Sequence, residues 1–157
     1  MITVEEFLKL PDPKEGRLEL HHGETVVVPP AKWGHRRTQE RPVGRLQPLC
    51  PNAVVMADLA FRPSAEYELW VAGVALVSAA RADAVPDDDY LAGAPDQEMN
   101  DRRAVCLAAG CQSFWLVDPK TRTVSVSEGN LTRHYSAGES ISCPLLAAPL
   151  AVDEIFG

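Results

Sequence analysis

Residues 91–110 read LAGAPDQEMNDRRAVCLAAG, and in them a turn-rich segment runs directly into a stretch patterned as a helix. Gly93, Pro95 and Asp96 punctuate a turn. Glu98 and Asp101 put acids where a helix begins, and Gly110 stands where a left-handed cap belongs, so the pattern predicts a helix over residues 98–109. With no strand between turn and helix, this join decides how the sheet is assembled.

Toward the C-terminus, residues 114–117, 123–127 and 131–135 read as three strands, with turns at Asp118-Pro119 and Gly129, and a last helical turn falls at 153–156. Toward the N-terminus, residues 83–95 form an acidic, turn-rich loop. Residues 53–62 and 71–78 read as strands, the second an unbroken apolar run suited to a sheet interior. Residues 33–49 predict a helix that Pro42 either kinks or starts. Arg17 to His21 alternates, Glu24 to Val28 is β-branched, and Gly23 between them makes a hairpin that Pro29 and Pro30 close. Thr3 with Glu6 is a capping box that opens a helix over residues 4–10. The order predicts one α/β (α+β) domain over residues 1–157, a mixed sheet flanked by helices, with strands 17–21, 24–28, 71–78 and 114–117 in that one sheet.

The 157 residues suffice for a single core, because a chain this long buries about 68–70 % of its unfolded surface. A content of 46 % hydrophobic and 24 % charged residues is that of a folded, water-soluble chain, and no apolar run approaches the roughly 20 residues of a bilayer span. The opening MITVEEFLKL lacks the basic-then-apolar order of a secretory signal, which points to the cytoplasm. Cys50, Cys106, Cys111 and Cys143 form no CxxC pair and do not alternate with His21, His22, His35 or His134, so they read as packing thiols. The net charge of −7 argues against strong undirected binding to nucleic acid, yet Lys32, Arg36, Arg37, Arg41 and Arg45 oppose Glu40 alone. That run is open to two readings, a solvated helix face or a phosphate-facing patch.

From the residues alone, the carboxylates placed to meet are Glu19, Glu24 and Asp58, each in or beside a strand of the sheet. Magnesium is held by one or two such groups with water and phosphate oxygens. There is no GxSxG elbow, no GxxxxGK[ST] loop, no HExxH and no GxGxxG after a strand. Trp33, Trp70 and Trp115 are open to base stacking or to packing, and an aromatic content of 6 % favours packing.

Seven segments carry a family resemblance: EEFLKLP (5–11), RLELHHGE (17–24), VVPPAKWGH (27–35), FRPS (61–64), DYLAGAPD (89–96), DRRAVCLAAGC (101–111) and FWLVDP (114–119). In this order they resemble the Uma-type restriction endonuclease family, a bacterial branch of the PD-(D/E)XK nuclease superfamily. The resemblance implies a mixed sheet with a magnesium-dependent DNA phosphodiesterase site, and a homodimer. In the family, that site comprises a glutamate in Arg-x-Glu-Leu, a strand aspartate, a glutamate in the strand after Gly-Ala-Pro-Asp and a lysine opening the next helix. Carboxylates hold the metal against the scissile phosphate, the metal lowers the pKa of a water, and the cation steadies the developing charge.

Glu19 matches the first glutamate and is the implied metal ligand; Arg102 stands for the helix lysine. The strand aspartate falls at Gly73, a degenerate position with no ligand to offer. The segment bearing the second glutamate, about a dozen residues in the family, has no counterpart between Asp96 and Gln97. Such a loss removes a central strand, and a marginally stable domain must rearrange to absorb it. The resemblance therefore implies a metal-dependent endonuclease that is impaired or inactive in this form; the basic run, read as phosphate-facing, would make Arg36, Arg37, Arg41 and Arg45 its weak DNA contacts. The alternative is a non-catalytic nuclease-fold module for binding or assembly.

Overall fold

In a computed structural model, which describes residues 1–100 and 110–157, the sequence pattern is largely realised, with one consequential exception. Helix α1 (Val4–Phe7) opens on the Thr3–Glu6 capping box and is shorter than the 4–10 expected. Strands β1 (Arg17–His21) and β2 (Glu24–Val28) pair antiparallel around His22 and Gly23, both at positive φ. Helix α2 (Trp33–Leu49) runs through Pro42 and Pro48 without a break. Strands β3 (Ala53–Arg62) and β4 (Trp70–Ser78) follow, then α3 (Ala79–Ala84) and the short β5 (Leu91–Ala92) inside what the sequence suggests is loop.

The exception is β6 (Gln97–Asn100), a strand where the sequence predicts the first turn of a helix. It lies between β4, antiparallel, and β7 (Ser113–Asp118), parallel. The physical reason is the demand of its neighbours. Without a strand at that place, β4 and β7 would each present a buried row of unpaired N–H and C=O groups, a cost that outweighs the weak helix preference of four residues. The central strand is thus rebuilt from the residues that follow Asp96. The rest of the expected helix, with Arg102, lies outside the described residues.

Beyond β7, strands β8 (Thr123–Glu128) and β9 (Leu131–Tyr135) complete a seven-stranded sheet of order β5-β3-β4-β6-β7-β8-β9. A small pair, β10 (Ser140–Ile141) and β11 (Leu150–Ala151), leads into α4 (Val152–Phe156). The β1–β2 hairpin is not part of the large sheet, contrary to the sequence expectation. It forms its own two-stranded ladder and touches the sheet at one bridge, where Leu20 and Leu69 exchange backbone hydrogen bonds of 2.8 and 2.9 Å.

Two apolar layers cover the sheet. Val55, Val74, Leu76, Met99 and Trp115 pack with Leu46 of α2 and Ile155 of α4; Phe61, Trp70, Ala72, Ala75, Val77 and Phe114 pack on the other face. Along β3 and β4 the alternation changes phase. Val55 and Val74 belong to one layer, whereas Phe61 and Ala72, which a regular two-residue period would put on that same face, belong to the other. The change falls at Asp58, whose φ is 51°, opposite Gly73, where the β3–β4 ladder skips a pair. A residue in the left-handed region turns the strand over locally, as at a bulge.

Candidate active site

The phase change at Asp58 and Gly73 floors a cleft walled by the hairpin, the start of α2 and the edge of β4 not covered by β3. Two hollows of about 390 and 470 Å³ share residues 28–31 and His35 in their walls. Arg17, Arg36, Gln39, Asp58 and Gly73 line the first. Glu19, His21, Trp70 and Glu98 line the second.

Three of these side chains come from one face of β1, since Arg17, Glu19 and His21 are two residues apart. Glu19 is only 6 % exposed and is tolerated there because it is paired on both oxygens. Oε1 accepts from Arg17 Nε and Nη2, each at 3.0 Å, and Oε2 lies 2.9 Å from His21 Nε2. The His21 ring packs on Trp70 at 4.8 Å between centroids. Arg17 also reaches Asp58, Nη1 to Oδ1 at 3.7 Å, so one guanidinium joins both carboxylates.

Asp58 is further held from α2. Arg36 Nη1 is 3.2 Å from Oδ2, and Gln39 Nε2 donates to Oδ1 at 3.1 Å. The same Gln39 amide donates to the Gly73 carbonyl at 3.0 Å. The β6 ladder on β4 begins at Val74, one residue beyond Gly73, so the glutamine supplies the donor that a longer strand would provide. A Cβ built on Gly73 would stand 3.2 Å from the Met99 carbonyl oxygen and 3.3 Å from Gln39 Nε2. The degenerate position is thus a packed one.

Glu98 is the functional candidate that sequence reasoning misread. In β6 its backbone pairs with Ala75 and Phe114, its side chain is 3 % exposed, and it lines the same hollow as Glu19. The signal was its place two residues after Gly-Ala-Pro-Asp, overruled by the helical pattern downstream. Of the other acids, Glu24 is exposed and outside the cleft. Asp96 is structural: its carboxylate accepts from the Ser78 amide at 2.7 Å and pairs with Arg81 at 3.2 Å.

The basic run on α2 divides. Arg36 turns to Asp58, Arg41 donates to the Phe156 carbonyl at the end of α4, and Arg37 and Arg45 are exposed.

Magnesium needs carboxylate oxygens with places left for water and phosphate. Glu19 has both oxygens engaged, Gly73 has no donor side chain, and among the described residues no three His, Cys, Asp or Glu side chains converge on a common point. The residues present do not fit the metal set that the family resemblance implies.

A family model described as Uma2, "Putative restriction endonuclease", matches residues 4–152. The chain belongs to the Uma2 family. A crystal structure described as a putative nuclease belonging to DUF820, from Anabaena variabilis ATCC 29413, superposes with a TM-score of 0.81 at 22 % identity, covering 99 % of this chain and 98 % of that one. At that identity the likeness shows a shared fold. No curated protein matches the chain.

Proposed function

We propose that this chain is a nuclease-fold protein whose ancestral reaction is magnesium-dependent hydrolysis of DNA phosphodiester bonds, and that in this form the reaction is lost or reduced to background. The observation that carries this reading is Glu19, buried with both oxygens bonded to Arg17 and His21, in a cleft where Gly73 offers no ligand. Glu98 brings a second carboxylate to the cleft, but Arg102, matched to the family's lysine, keeps its charge and does not act as a base. DNA, magnesium, a homodimer and a cytoplasmic setting enter this reading from the family resemblance.

A second reading, a non-catalytic nuclease-fold module for binding or assembly, is favoured by Gln39, which fills the place beside Gly73 and ties α2 to the cleft floor. The test of the first reading is a plasmid-nicking assay with magnesium or manganese. No cleavage above background is expected, and Gly73→Asp alone should restore none, because residues that act as a unit fail together. Robust cleavage by the purified protein, abolished by Glu19→Ala or Glu98→Ala, would overturn it.

A further inference from the structure

The three tryptophans have separate fates. Trp115 and Trp70 are 0 % and 7 % exposed in the two core layers, whereas Trp33, the first residue of α2, is 77 % exposed. An indole left in water on a folded surface gains nothing from the core, and its neighbours are cationic. Lys32 precedes it, and Arg36 and Arg37, three and four residues on, share its helix face. All three are exposed, Glu40 stands one turn further along, and Arg36 shares its charge with Asp58. His35, in the same turn, lines both hollows of the cleft, and Lys32 lines the second.

We propose that Trp33 stacks on an unpaired nucleobase of a DNA strand whose phosphates lie along Lys32, Arg36 and Arg37 at the cleft mouth. This deepens the reading of the cleft as a nucleic-acid site and rests on it. A π-face beside cations fits a strand with both an exposed base face and a charged backbone. A duplex hides its base faces in the stack and presents to Trp33 little but phosphate. Single strands, frayed ends and mismatched sites are therefore the preferred class, with low affinity, since the chain carries −7 overall.

Trp33 also supplies the readout, as the part of the quench lost in Trp33→Ala, since Trp70, though only 7 % exposed, lines the second hollow. Titrating the full-length protein with a short single-stranded oligonucleotide at low salt should quench tryptophan emission, and the same sequence as a blunt duplex should quench it far less. Trp33→Ala should weaken single-strand binding about ten-fold, measured by anisotropy of a labelled oligonucleotide, while Trp33→Phe keeps most of it. Circular dichroism establishes that both variants are folded. Equal affinity for single and double strands with Trp33→Ala unchanged would overturn the proposal while leaving the cleavage reading intact. A concentration-dependent dimer in sedimentation, lost in Trp33→Ala, would also overturn it by assigning the indole to a second copy of the chain.

Discussion

At the scale of single residues, the cleft is governed by which groups already have partners. Glu19 was legible as a strand carboxylate, but Arg17 and His21, which strand alternation puts on the same face, were not singled out as its partners, because pairing depends on rotamers that spacing does not set. Gln97 shows the opposite imbalance. It is fully buried, its Oε1 accepts from the Cys143 thiol at 2.8 Å, and its Nε2 has no partner among the described residues. Replacing both partners of such a bond by apolar side chains is neutral or favourable, so Gln97→Leu combined with Cys143→Ala should leave the unfolding free energy unchanged or raise it by about 1 kcal/mol in urea titration. Burial pushes the Cys143 thiol up to about 11. A folded-state pKa raised above the unfolded one gives stability that is complete below the ordinary thiol range and lost as pH rises through the folded value. Stability should therefore decline between pH ~9 and ~11, and Cys143→Ala should flatten part of that decline.

Elements whose bounds depend on local chemistry were legible to the residue: the hairpin around Gly23, α2, and β3 among them. β6 was not, because its strand character comes from β4 and β7, which are remote in sequence, while its own residues resemble a helix start. The phase change at Asp58 was hidden for a related reason, since a left-handed φ at a non-glycine residue leaves no mark in composition. β6 is bonded on both sides, so it has no tolerance for a missing N–H. Glu98→Pro should cost about 1–3 kcal/mol for the carbonyl left unpaired, whereas Leu131→Pro, at the start of the outermost strand β9, should cost far less. Equal effects in thermal unfolding would mean that β6 is not an inner strand.

For the whole molecule, β6 is the join between two half-sheets, β5-β3-β4 and β7-β8-β9. Without it the two apolar layers would lose their common plane, and the cleft its Glu98 wall. Charge at this scale limits what the molecule binds: −7 overall, with Arg37 and Arg45 as exposed cations of α2 and Arg41 tied to Phe156. Any DNA affinity should fall steeply with salt, and Lys32→Ala with Arg37→Ala should lower the log–log slope for a single strand by about 1.4, at roughly 0.7 per phosphate contact. Since β6 is bonded to both halves, its amides should open only when the whole sheet opens. Native-state amide hydrogen exchange is the most direct measurement: the account predicts that Gln97, Glu98 and Met99 are protected to the same level as Ala75 of β4 and Trp115 of β7. Exchange of those three amides at the rate of a free peptide, with Ala75 and Trp115 still protected, would contradict it.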